Sequence, residues 1–304
     1  MKKIKMMRLL SAVFLLITVF MVSCSENNEN TVPAPVPNIA QIVSQSPNFS
    51  TLNAAVAKAG LGDALATTQN ITVFAPDNAA FAASGITSVD GFTAAQLQAI
   101  LLYHVFGQKV SSSAIPVSDT LKSLNTANIY ASRNVNGVFT NGFKVKQADI
   151  LGSNGVIHVI EKVMIPPTQT IAQIAAADTT LSFLVTALTN TGLLPAVQAA
   201  GKLTVFAPTN QAFRDAGITD VNALPVQILE PILKYHVLGT NVFSSDLVNG
   251  ATAVTLQGGT VTVTATPTAT VKITTSAQPA SPITAANIVA KNGVVHKIGR
   301  VMIP

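Results

Sequence analysis

Four histidines and one cysteine carry most of the side-chain chemistry in this chain of 304 residues. His104 and His236 lie 132 residues apart, and His158 and His296 lie 138 apart. Two imidazoles with a nearby carboxylate suit a transition metal, so His104, His158 and Asp149 are the ligand set to weigh in the first half. The second half has Asn287 where the acid would stand, a poorer set. Two histidines do not fill a site, and each ring reads more simply as a structural group, one nitrogen donating and the other accepting. No metal and no cofactor is expected. The chain has no Gly-x-Ser-x-Gly, no His-Glu-x-x-His and no Walker loop. Gly60 and Gly62 begin a dinucleotide pattern, but Leu65 stands where its third glycine belongs. No residue is given a catalytic role, and an enzyme is not expected.

The elements that place these residues are written twice. Asn38-Ile39-Ala40-Gln41-Ile42 returns as Thr170-Ile171-Ala172-Gln173-Ile174, and Thr72-Val73-Phe74-Ala75-Pro76 as Thr204-Val205-Phe206-Ala207-Pro208, both 132 residues on. Tyr103-His104-Val105 returns as Tyr235-His236-Val237 at the same offset. Asn154-Gly155-Val156-Ile157-His158 returns as Asn292-Gly293-Val294-Val295-His296 at 138, so the second copy carries six extra residues between these last two motifs. A period this long is a tandem of whole domains, 38–167 and 168–304, with a linker of little more than Pro167-Thr168-Gln169.

Within a copy, helical spacing comes first. Ile39, Ile42 and Val43 form one apolar stripe, and Leu52, Ala55, Val56 and Ala59 form the next, stopped by Gly60. Ile71–Ala75 reads as a strand closed by Pro76, with Asp77 and Thr209 as caps of the short helix that follows. Thr93 caps a helix with Leu97, Ile100, Leu101 and His104 on one face. Its counterpart has Pro231 in place of Ala99, which predicts a kink or a shortened helix. Asn136-Gly137, Asn141-Gly142, Asn154-Gly155, Gly258-Gly259 and Asn292-Gly293 mark hairpins, and Val261, Val263 and Ala265 alternate with threonines as in a half-buried strand. Helices followed by strands give an α+β fold.

The N-terminus is an address. Lys2, Lys3, Lys5 and Arg8 precede an apolar run from Leu9 to Ser23, so 1–23 reads as a signal peptide. Met21-Val22-Ser23-Cys24 resembles the bacterial lipobox, in which the cysteine is lipidated, although Met21 stands where Leu is usual. That resemblance implies a membrane anchor on Cys24, the chain's one cysteine. Residues 24–37, polar and acidic and then proline-alternating, read as a tether of up to about 40 Å at roughly 3 Å per residue. The acids just after Cys24 resemble the surface-export signal of certain bacterial lipoproteins. The expected location is therefore the outer membrane or cell surface of a bacterium. Without residues 1–23 the chain holds 14 basic and 13 acidic residues, so its net charge of +5 belongs mostly to the leader and nucleic acid is excluded as a partner. One cysteine excludes a disulfide framework and a cysteine-based zinc site.

Each copy resembles a fasciclin domain. The resemblance rests on the blocks Thr72–Phe81 and Thr204–Phe213, on the Tyr-His pairs, and on the tails that begin at Asn154-Gly155 and Asn292-Gly293 and end in Val-Met-Ile-Pro. It implies a β wedge or sandwich of seven or so strands with a helical layer. It also implies binding: adhesion or protein–protein contact with a surface or extracellular protein, a matrix component or a glycan. The alternatives are a non-adhesive part of an outer-membrane assembly and, less favoured, a small-molecule carrier. In animal members the Tyr-His region and an Asp-Ile pair are implicated in integrin binding. By resemblance these fall on Tyr103, His104, Asp149 and Ile150, and in the second copy on Tyr235, His236, Asn287 and Ile288, where the acid is lost. The bland reading of the Tyr-His pairs is packing, an amphipathic ring buried with its hydroxyl tied off. Scarce aromatics, three Tyr and no Trp, disfavour a ring-stacking lectin.

Overall fold

A computed structural model describes residues 34–199, 201–265, 271–274 and 280–304. The leader, Cys24 and most of the tether lie outside the described residues. Residues 36–304 form one compact unit. Among the described residues no single helix is long and apolar enough to cross a membrane.

The first repeat runs α1 (Ile39–Gln45), α2 (Ser50–Lys58), α3 (Gly62–Thr67), β1 (Ile71–Pro76), α4 (Asn78–Ala83), α5 (Ala94–Tyr103), β2 (Val105–Phe106), β3 (Ser118–Lys122), β4 (Asn128–Asn134), β5 (Gly137–Thr140), β6 (Phe143–Gly152) and β7 (Gly155–Ile160). The second repeats that order as α6 (Ile171–Ala177), α7 (Ser182–Asn190), α8 (Leu194–Ala199), β8 (Leu203–Pro208), α9 (Asn210–Asp215), α10 (Val226–Tyr235), β9 (Val237–Leu238), β10 (Thr252–Val254), β11 (Thr260–Ala265), β12 (Val271–Thr274), β13 (Ser281–Ala290) and β14 (Gly293–Ile298). The six-residue insertion falls between β11 and β13, where 266–270 and 275–279 lie outside the described residues.

The caps follow the sequence. Asn38, Thr93 and Thr170 form reciprocal capping boxes with Gln41, Gln96 and Gln173. Asp77 and Thr209 accept from the amides of Ala80 and Ala212. Pro231 does not shorten its helix: α10 spans ten residues, as α5 does.

Each repeat holds a seven-stranded sheet, ordered β2-β1-β7-β6-β5-β4-β3 in the first and β10-β11-β12-β13-β14-β8-β9 in the second. The pairs β1–β7 and β8–β14 are parallel and the other neighbours antiparallel. Every residue of β1 and β7 is buried, because both faces are covered. Val73 points to the helical side, with Ile39, Leu52, Phe81 and Leu101. Phe74 points to a second core inside the folded sheet, with Tyr103, Ile129, Ile160 and Met164. Val205 and Phe206 divide the second repeat in the same way.

The Asn-Gly motif before β7 and β14 does more than turn a hairpin. A Cβ on Gly155 would lie 2.1 Å from the Ile71 carbonyl oxygen, and one on Gly293 would lie 2.0 Å from that of Leu203. Only glycine lets the parallel strands approach. Asn154 Oδ1 accepts from the Ile39 amide at 2.9 Å while its Nδ2 donates to the carbonyls of Leu65 and Thr68, both at 2.9 Å. Asn292 ties Ile171 and Val197 in the same way, at 2.9 and 2.7 Å.

Candidate functional site

The two Tyr-His pairs are interior. Tyr103 ends α5 fully buried; its hydroxyl donates to the Asn128 carbonyl at 2.8 Å and accepts from Asn141 Nδ2 at 2.9 Å. Burial pushes the phenol up to about 12, against the pull of Asn141. His104 follows at the helix end. Its Nε2 accepts from the Met164 amide at 2.9 Å, so Nδ1 carries the proton and donates to the Ile100 carbonyl at 2.8 Å. Burial lowers this ring to about 4, with the Ile100 bond working the other way. Tyr235 and His236 repeat the pattern against Thr260, Ile232 and Met302. All four side chains are buried and hydrogen-bonded within their own repeat.

The Asp-Ile half lies elsewhere, at a β-bulge. β6 slips register against β7 between Gln147 and Ile150, and Asp149 occupies the slip with φ +60°. A short polar side chain tolerates that left-handed backbone best. The Asp149 amide donates to His158 Nδ1 at 3.2 Å, which leaves His158 Nε2 to donate to the Val110 carbonyl at 2.9 Å. Asp149 Oδ1 accepts from the Ser112 amide at 2.8 Å, and Oδ2 accepts from the Ser112 hydroxyl. Desolvation would raise this carboxyl, but the two Ser112 bonds outweigh it and hold it below the usual range. Thr72 completes the frame: its hydroxyl donates to Gln108 O at 2.7 Å and accepts from the Val110 amide at 2.9 Å. Three motif residues, Thr72, Asp149 and His158, therefore hold one strap, residues 108–112.

The second repeat builds the same frame with Asn287, also at φ +60°. Its Oδ1 accepts from the Ser244 amide at 2.8 Å and its Nδ2 donates to the Ser244 hydroxyl at 2.7 Å. Ile150 and Ile288 are half-buried and pack on the helical-side cores. As to a metal, both ring nitrogens of His104 and of His158 are taken by backbone groups. Among the described residues no group of three or more His, Cys, Asp or Glu stands close enough to hold an ion.

The two bulges differ in what lies over them. A Cβ on Gly142 of the first repeat would come within 2.5 Å of Asn287 Nδ2. Val289 joins a cluster with Val294, Phe243 and, from the first repeat, Tyr130. Tyr130 and Phe243 stack with ring centroids 4.7 Å apart, and Asn134 Nδ2 donates to the Ser245 carbonyl at 2.8 Å. Burial first, then the charges of Asp246 across the interface and of Asp119, push the Tyr130 phenol up against the hydrogen bond it shares with Ser118. The second bulge is thus part of the interface between repeats, beside a cleft of about 350 Å³ walled by Ile165, Pro166 and Pro167. In the first repeat Asp149 is exposed, and Leu151, the counterpart of Val289, is 61% exposed. The sequence reading missed this interface. One signal was present: Tyr130 and Phe243 stand where the sister copies have Thr262 and Ser111.

Both repeats match the sequence profile of the Fasciclin domain, over residues 47–166 and 179–304. The chain belongs to the fasciclin-domain family. Its fasciclin repeats are 28% identical over 280 residues to the transforming growth factor-beta-induced protein ig-h3 of Sus scrofa, covering 91% of this chain and 39% of that protein. Human periostin is 30% identical over 183 residues, covering 59% of this chain and 21% of its own length. The chain therefore spans well under half the length of these animal relatives. A protein of Synechocystis sp. is 36% identical over 137 residues, 43% of this chain and 98% of its own. The solved structure of a FAS1 domain pair from the insect cell adhesion molecule Fasciclin I covers 87% of this chain and 96% of that one, at 16% identity and a TM-score of 0.43.

Proposed function

We propose that this fasciclin protein is a lipid-anchored binding protein of a bacterial surface, without catalytic activity, that adheres to a surface or extracellular protein through its first repeat. The observation that carries the reading is the difference between the bulges. Asp149 and Leu151 are exposed, whereas Asn287 and Val289 are half-buried against the first repeat. An exposed carboxylate beside an exposed leucine suits a protein contact with a polar rim and an apolar centre. The near-balanced charge of the chain after residue 23 suits short-range contact over electrostatic steering. The anchor is Cys24, and the tether carries the first repeat away from the membrane.

Two experiments test the reading. Cys24→Ala should move the protein from the membrane fraction to the soluble one; unchanged fractionation sinks the anchor. For binding, the purified full chain is presented to producing cells, matrix proteins and glycans, beside the double variant Asp149→Asn, Leu151→Ser. Saturable retention on one class, reduced tenfold or more in the variant, supports adhesion through the first repeat. Retention that the variant leaves unchanged removes the bulge from the binding surface.

A further inference from the structure

The helical layer of the first repeat contains a cavity that the adhesion reading does not use. It lies between α2, α3, α5 and β1, and its volume is about 60 Å³. Leu52, Val56, Leu65, Ile71 and Leu101 line it, and half-exposed Leu124 stands at its mouth. The polar groups on its wall are few. Thr68 is one, and its hydroxyl donates to the Ala64 carbonyl at 2.7 Å. His104 is another, and both its ring nitrogens are engaged by backbone groups. A hydrogen-bonding guest would find no partner there, and its desolvation would go uncompensated. An apolar guest has no such cost, because cavities of this lining stay dry. The volume is well below the roughly 150 Å³ of a cavity that takes benzene, so the guest is the end of a narrow chain and not a ring. The open mouth lets the remainder of such a molecule stay outside.

The roof is the short helix α3, held to the frame where Asn154 donates to the carbonyls of Leu65 and Thr68. Helix α3 has no buried residue, and it follows Gly60, at φ +68°, and begins at Gly62. The second repeat has different side chains at the same places. Its roof helix α8 plants Val197 in the core, and Leu188 fills the position of Val56. Lys234 stands where Leu102 lines the first cavity.

We propose that the helical layer of the first fasciclin repeat binds the end of an unbranched alkyl chain beneath α3, and that the second repeat does not. The test uses the full chain with labelled Leu and Val methyl groups, titrated with 1-hexanol and followed by NMR. Saturable shifts are expected at Val56, Leu65 and Leu101, with Leu188, Val197 and Leu233 unmoved. Val56→Leu, which installs the residue of the second repeat, should abolish those shifts while the melting temperature stays at or above that of the parent. Leu65→Phe, which fills the cavity from the roof, is the second filling variant should the first misfold. Equal shifts in both repeats, shifts that do not saturate, or saturable shifts that survive a folded filling variant would each overturn the proposal.

Discussion

Burial keeps the histidines of this protein neutral, and that has a cost in acid. Desolvation lowers His104, His236 and His296 from an ordinary 6.5 to about 4, with a backbone carbonyl bond opposing it in each case. Between pH 6.5 and 4 the unfolded chain binds protons that the folded chain refuses. Stability is therefore complete above pH 6.5 and falls as the pH drops toward 4, by about 3 kcal/mol for each ring by the lower limit. Urea denaturation at pH 7, 5.5 and 4.5 should show midpoints that fall at each step; a flat series would mean the rings are hydrated. At Asp149 the expectation concerns scaffold against charge. Asn287 does the same structural work without the charge. Asp149→Asn should leave the denaturation midpoint almost unchanged, and Asp149→Ala, which loses both Ser112 bonds and keeps the left-handed backbone, should cost about 1–2 kcal/mol. Equal losses in the two variants would show that the negative charge itself holds the strap.

At the scale of elements, the two copies are near-replicas whose differences are informative. Helix α5 starts from a capping box at Thr93, while α10 follows Pro225 without a side-chain cap and carries Pro231 inside. Pro231 has no amide hydrogen to give to the preceding turn, yet the helix runs its full ten residues. Packing of Leu229, Leu233 and Tyr235 holds it, against the local preference. Replacing the proline by the residue of the first copy, Pro231→Ala, should raise the melting temperature, with a gain on the order of 1 kcal/mol or more. A lower melting temperature would mean that the rigidity of proline in the unfolded chain outweighs the missing bond. The caps, the Gly60 stop and the hairpin glycines were legible because each acts within a few residues of itself. The parallel pairing of β1 with β7 was not, since the partners lie more than 80 residues apart and an apolar run does not name its neighbour.

At the scale of the molecule, the repeats are joined by contacts that neither copy can offer twice. Tyr130 meets Phe243, but the sister positions hold Thr262 and Ser111, so the same docking cannot continue to a third fasciclin repeat by these residues. An aromatic stack of this kind is worth roughly 0.5–1.5 kcal/mol beyond its buried area. Tyr130→Ala should leave each repeat folded and loosen the pair. Small-angle scattering of the full chain should then show a larger radius of gyration, and methyl NMR should show the core signals of Leu101 and Leu233 in place. An unchanged radius would assign the stiffness to Pro166 and Pro167.

The sequence by itself determined what short range and repetition encode: two copies, their offsets, the capped helices, the strand-forming block around Phe74 and Phe206, and the tails that mark the family. It also held the four histidines at matching positions and put His104 on the apolar face of its helix, without naming what packs over it. Tertiary structure decided that the Tyr-His pairs lie in the core, because a ring's exposure depends on what packs over it and not on its neighbours in sequence. It decided too that Asp149 is exposed and that Asn287, its twin, is half-buried against the first repeat. Asp149 and Asn287 both sit at a bulge with φ +60°, and the placement of Gly142 and Tyr130 against the second repeat helps make them different surfaces.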